Sequence, residues 1–208
     1  MDSRNAKALV ALMASEKYHL FIDNHTSNGA DYQYVLTYFH TRSEKLMPEI
    51  VPNLLQLEAR LKNQLTRQEW PTAPYVETIK TVPDSGLFAF WESGRYATGF
   101  AALHNTIGYT VETHMLKPFS QRMLATLAFM EQFLAVSTSD SLRAQFDKNR
   151  MNGWVRRLAD QPVHYLPIAH TLDMKHYKMI PFKGFEFGYR PSDVTGADRL
   201  VYDTRKPW

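Results

Sequence analysis

The spacing of apolar and polar residues changes several times along the chain, and each change marks an element. Residues 5–17, NAKALVALMASEK, follow two good helix N-caps, Asp2 and Ser3, and set Leu9, Val10, Leu12 and Met13 at helical intervals, which predicts a first helix. HLFID (19–23) is a short continuous apolar run and reads as a central strand; DYQYVLTYF (31–39), rich in Tyr and Val, reads as a second. Between Ser43 and Leu65 the leucines at 54, 57, 61 and 65 recur every three or four residues, predicting an amphipathic helix with Pro48 and Pro52 in its first turns. A proline-spotted loop (70–74) leads to a strand, YVETIKTV (75–82), and then to the glycine-punctuated GLFAFWESGRYATGFAALHN (86–105). IGYTVETHML (107–116) is the next strong strand. FSQRMLATLAFMEQFL (119–134) is a strong helix with Leu124, Leu127, Phe129, Met130 and Phe133 on or near one side, and a weaker helical pattern runs from 141 to 158. From Pro162 onward the pattern shifts to short aromatic and β-branched runs broken by Pro and Gly, such as MIPFKGFEFGYRP and RLVYDT.

Strands that alternate with helices predict an α/β fold, with a mixed, mainly parallel sheet flanked by helices. Residues 1–158 are expected to form this α/β domain and 159–208 a small β-rich accessory region. The composition, 44% apolar and 22% charged, is that of an ordinary globular protein and leaves the picture unchanged. Charge narrows the partners: 24 Lys and Arg against 21 Asp and Glu leave +3, spread along the chain, so neither nucleic acid nor an anionic membrane is expected. The apolar stretch from Ala8 to Met13 is too short for an export signal and no run is long enough to span a membrane, so the chain is either cytoplasmic or begins elsewhere. Cysteine is absent, which removes disulfides and thiolate ligands and leaves His, Asp and Glu as the strong candidates for holding a metal.

Two residues stand out chemically. In open α/β sheets ligands gather beyond the carboxyl ends of the strands, and His25 is expected at that end of its strand, with Thr26, Ser27, Asn28 and Gly29 forming a turn that would face the ring into a crevice. A lone histidine is more often structural than metal-bound. Glu112 sits inside a strand-like run, where an ionised side chain needs a cation or water, or else the strand end lies at an edge and the carboxylate is in solvent. Alternation along that strand puts Thr110, Glu112 and His114 on one face.

Together, the Asp-x-His-Thr/Ser stretch ending one strand and the Thr-Val-Glu strand directly before a later helix resemble the zinc-dependent metallocarboxypeptidases, the carboxypeptidase A-like family. NHTSNGADYQYVLT looks closest to bacterial members, and the resemblance runs from about Asp2 to Leu134. It implies that His25 is the last of three zinc ligands and Glu112 the general base, acting on a zinc-activated water to hydrolyse C-terminal peptide bonds. ESGRYATGFAALHN corresponds in place to the family's pocket loop, where Arg95 would bind a terminal carboxylate bidentately and Tyr96 would cover the scissile region.

The same resemblance exposes a gap. The family's other two ligands lie in an upstream His-x-x-Glu motif, and none of the eight histidines here has Glu three residues later. One ligand will not hold zinc tightly. A shortened chain, a partner that supplies the missing part, or a non-catalytic remnant with a peptidase-like crevice would each account for this, and the start at a helix cap points to a shortened chain. Missing neighbours would leave sheet edges and apolar surface exposed, so self-association is expected. A Ser-His-carboxylate hydrolase has little support, because no Gly-x-Ser-x-Gly elbow occurs.

Overall fold

A computed structural model describes residues 3–16, 18–138 and 170–208. The elements, in chain order, are helix α1 (Arg4–Ser15), strands β1 (Leu20–Ser27) and β2 (Leu36–His40), helix α2 (Val51–Arg67), short strands β3 (Thr72–Pro74), β4 (Val76–Thr78) and β5 (Leu87–Ala89), helix α3 (Ala97–Leu103), strand β6 (Ile107–His114), helix α4 (Phe119–Ser137), and strands β7 (Lys183–Pro191) and β8 (Asp198–Pro207). The expected helical continuation over 141–158 lies outside the described residues.

The main sheet has the order β1-β6-β2-β3, with β1/β6 and β2/β3 parallel and β6/β2 antiparallel. It is a mixed α/β sheet, as expected. The strand expected to be central is the exception: β1 stands at the edge, and β6, buried at every position, is central instead. HLFID has the apolar texture of a buried strand, but among the described residues β1 pairs on its β6 side alone, and its residues are mostly half-buried or exposed.

Alternation divides the sheet into two unlike faces. One carries Leu36, Tyr38, Ile107, Tyr109 and Val111 and packs on Leu54, Leu57, Leu61 and Leu65 of α2 and Ala125, Phe129 and Phe133 of α4. Both helices sit on this side because the leucine stripe of α2 is what the apolar strand face needs to cover it. The opposite face carries Thr110, Glu112, His114 and Thr37, and α3 covers its lower part. Its seat is Gly108, where a Cβ would come within 3.0 Å of the Thr98 Cα.

Local differences from the sequence expectations have identifiable causes. The expected strand 31–39 begins only at Leu36, because Asp31–Val35 are taken up by contacts with β6 and with the C-terminal hairpin. Pro52 lies in the first turn of α2, whereas Pro48 falls in the preceding loop, after a 3-10 turn at Ser43–Lys45. The strand expected over 75–82 contracts to three residues, and the glycine-rich stretch contains α3, a helix the sequence pattern did not announce. In α4, Phe129 and Phe133 are buried as expected, but Leu124, Leu127 and Met130 are exposed.

The expected β-rich tail is an antiparallel hairpin, β7–β8. It is tied to the loop between β1 and β2: the Gln33 N–H donates to Lys183 O (2.8 Å), Gln33 Nε2 to Gly184 O (2.7 Å), and Phe182 is buried among Tyr32, Tyr34 and Ala73.

Candidate functional site

The site begins with strand register. Because β1 and β6 run parallel with His25 opposite Glu112 and Asp23 opposite Thr110, the imidazole and both carboxylates rise from one face near the carboxyl ends of neighbouring strands. The two residues singled out from the sequence therefore converge. His25 Nδ1 lies 3.9 Å from Glu112 Oε1, too far for a hydrogen bond, while Nε2 lies 2.7 Å from Asp23 Oδ2. His25 is not in a turn. Its strand continues to Ser27, and the turn starts at Asn28 and Gly29, whose φ of 90° favours glycine.

Glu112 is the chemically unusual member. Its side chain is 11% exposed, and its Oε2 is buried with no hydrogen-bond partner among the described residues. The sheet-edge reading, with the carboxylate in solvent, is thus replaced: β6 is central and Glu112 is buried. Burial, with some repulsion from Asp23 and an opposing attraction from His25, pushes its carboxyl up to about 7.

Beneath Glu112 the backbone is held by a chain of hydroxyls. The Tyr32 hydroxyl lies 3.2 Å from Ser27 Oγ and 3.1 Å from Thr37 Oγ1, and Thr37 Oγ1 donates to the Glu112 carbonyl at 3.4 Å. His114, on the same face of β6, belongs to a separate anchor. Its Nδ1 accepts from the Leu116 N–H (3.2 Å) and lies 3.6 Å from Asp31 Oδ1, which also receives Lys117 Nζ at 2.7 Å. Burial holds the His114 ring below the usual imidazole range, against the pull of Asp31, so it is a neutral structural group.

An aromatic wall stands on the same face one step along the strands, where Phe39 pairs with Thr110. Phe39 contacts Tyr75 (5.7 Å) and Phe90 (5.2 Å), and Phe90 meets Tyr96 edge-on at 4.8 Å. Tyr96 thus reaches this face only through other rings. Arg95 lies in an exposed turn, its N–H on Ser93 Oγ at 3.4 Å. Tyr75 is pushed up to about 12, by burial first and then by Glu77 and Glu112, so its phenol remains a hydrogen-bond donor at neutral pH.

Three clefts surround these groups. One of about 540 Å³ runs between β1 and α4, with His25, Thr26, Arg122 and Leu127 among its walls. One of about 280 Å³ lies between the Asn28–Ala30 turn, Tyr75 and Trp208. A third, about 320 Å³, is lined by Phe39, Tyr75 and Phe90 together with Tyr38, His40 and Glu58. The first reaches His25 from the α4 side, the second meets Tyr75, and the third shares Phe39, Tyr75 and Phe90 with the aromatic wall beside the pair.

Among the described residues no three His, Asp or Glu side chains are grouped to hold a metal. His25 could offer one nitrogen, and the orphaned oxygen of Glu112 is where a cation or polarised water would be accepted. Sequence reasoning missed Asp23 and Tyr75. The Asp-x-His spacing on a strand was a usable signal for Asp23, since residues two apart share a face; nothing local marks Tyr75. No protein-family model, curated protein or solved structure matches the chain.

Proposed function

We propose that this chain carries part of a zinc metallocarboxypeptidase-type centre that hydrolyses C-terminal peptide bonds. The observation that supports it is the pairing of His25 with a buried, half-unpartnered Glu112 across two parallel strands, with Nδ1 and Oε1 3.9 Å apart. His25 would hold the metal through Nδ1, the nitrogen left free by Asp23. Bound zinc supplies a polarised, acidic water as nucleophile. Glu112, with a carboxyl near neutrality, is suited to take a proton from that water and return it to the leaving amine. Arg95 and Tyr96 remain the proposed contacts for a terminal carboxylate and the scissile region, Tyr96 backed by Phe90. The ligands that complete the metal's shell would come from outside the described residues.

A second reading has an observation of its own. The lack of a three-residue ligand group among the described residues favours a non-catalytic remnant, or a binding module that keeps the crevice. The outer edge of β1, unpaired among the described residues, and the exposed apolar stripe of α4 support self-association, seen as a mass that rises with concentration.

Zinc content and hydrolysis of a blocked dipeptide discriminate the two. The peptidase reading expects Glu112→Gln to keep bound zinc while lowering kcat/KM by about 10²–10⁴-fold, and His25→Ala to lose the metal. Zinc-loaded protein without hydrolysis supports the binding module, and undiminished hydrolysis in Glu112→Gln ends the catalytic assignment.

A further inference from the structure

Asp23 enters the reading above only as the group that occupies Nε2, yet it makes the shortest polar contact of His25. Its carboxylate sits two residues before His25 on the same face of β1, and Oδ2 lies 2.7 Å from Nε2. A carboxylate oxygen accepts and a ring N–H donates, so at this distance Nε2–H is the donor to Oδ2. The neutral imidazole carries one proton; with that proton on Nε2, the lone pair is on Nδ1. Nδ1 is the nitrogen that faces Glu112.

We infer that Asp23 is a positioning residue: it fixes the tautomer and ring orientation of His25 so that Nδ1, and not Nε2, is presented as the ligand atom beside Glu112. This rests on the reading of His25 as a metal ligand and adds a residue to it. Three observations converge on it. Strand geometry makes the contact persistent, because residues two apart on one strand cannot swing to opposite faces. Thr110 stands opposite Asp23, so the contact is built into the same register that aligns His25 with Glu112. The His25 side chain is 48% exposed and otherwise free to rotate, so a second anchor is what would hold its ring. Metal-binding histidines commonly donate their other N–H to a carboxylate, and loss of that partner typically costs about 10–100-fold in metal affinity.

The test reads the ring before any reaction is measured. In ¹⁵N spectra of the metal-free protein, the neutral His25 ring is expected to carry its proton on Nε2, with that N–H protected from exchange; Asp23→Ala is expected to lose the protection. Asp23→Asn, whose amide oxygen can still accept, is expected to recover part of it. Zn²⁺ added alone should perturb Nδ1 in the wild type, with apparent affinity weakened by about 10–100-fold in Asp23→Ala. A proton on Nδ1, or equal protection with and without Asp23, overturns the inference whatever the protein binds. A protected Nε2–H with no response to Zn²⁺ leaves Asp23 as the anchor of the ring and removes instead the assignment of His25 as a ligand, so the two failures are distinguishable. Asp23 is partly exposed, and both variants are expected to fold.

Discussion

At the scale of single residues, the buried carboxyl of Glu112 is the most consequential group, and its effect on stability can be predicted without knowing any substrate. Its folded pKa is about 7 against an ordinary 4.5, so the native state holds the proton more tightly than the unfolded chain. Stability conferred by that proton is present in full below 4.5 and is lost as the pH rises toward and past 7, a loss of about 3 kcal/mol for a shift of this size. His114 runs the other way. Its pKa is lowered by burial, so its contribution is present above the ordinary imidazole range and is lost as the pH falls below it. In the metal-free protein the two trends oppose each other below the ordinary imidazole range. Glu112→Gln removes the first, so the variant should be more stable than the wild type at pH 8, by up to about 3 kcal/mol, with the difference shrinking as the pH falls toward 5. Denaturant melts at pH 5, 6, 7 and 8 check this, and a wild type at least as stable as the variant at pH 8 would show that Glu112 has a partner the geometry does not supply. His25 and Glu112 were both legible from the sequence, because a polar residue inside an apolar strand is visible without coordinates. Asp23 was visible but unweighted, and Tyr75 was not, since its approach to Glu112 depends on where a loop folds back.

At the scale of elements, α4 separates what periodicity reveals from what it conceals. The helix was legible at nearly its full length, and β6 likewise, because both are long and strongly patterned. What could not be read is which apolar stripe faces the core. α4 has two: Ala125, Phe129, Phe133 and Val136 are buried on the sheet and α2, while Phe119, Met123, Leu127, Met130 and Leu134 are exposed. A helix apolar on both sides gives no directional signal, so the expected cluster mixed the two stripes. The distinction is measurable. Phe129 lies against Tyr38 (5.4 Å) and Phe133 (6.0 Å), and Phe129→Ala should destabilise the fold by about 3–5 kcal/mol. Leu127→Glu, two residues away and on the opposite, exposed stripe, should change stability by no more than roughly 0.5 kcal/mol and should reduce concentration-dependent scattering. A large loss in Leu127→Glu would mean that this stripe is packed in the free protein. The short elements were unreadable for a different reason: β3, β4 and β5 have three residues each, below the length at which alternation can be distinguished from chance.

At the scale of the whole molecule, the question is whether the C-terminal hairpin is an accessory piece or part of the body that holds the candidate site. Its contacts argue for the second. Trp208 stacks on Phe182 with ring centres 5.3 Å apart and planes within 3°, its Nε1–H donates to Phe185 O at 2.8 Å, and its ring lies so close over Gly184 that a Cβ there would come within 2.1 Å of it. Phe182 and Trp208 both meet Tyr32 edge-on, and it is the Tyr32 hydroxyl that bonds Ser27 and Thr37 below Glu112. Lys206 adds an ion pair to Asp84 at 3.3 Å, exposed enough to contribute little. The last residue of the chain is thus two contacts away from the strand end that carries His25. If the hairpin and sheet are one cooperative unit, Trp208→Ala should lower the single unfolding midpoint of the whole protein, with a loss of about 2–4 kcal/mol for a large, partly exposed ring. Gly184→Ala should do the same by displacing that ring, although Gly184 itself lies far from the core helices in sequence. Both should also loosen the Tyr32 hydroxyl chain, visible as faster amide exchange at Thr37 and Glu112. Unfolding followed by far-ultraviolet and near-ultraviolet circular dichroism decides the matter: coincident curves that shift together in Trp208→Ala place the hairpin within the body. An early transition confined to the hairpin, with Thr37 and Glu112 still protected, would make it a separable module and leave the site supported by the sheet alone.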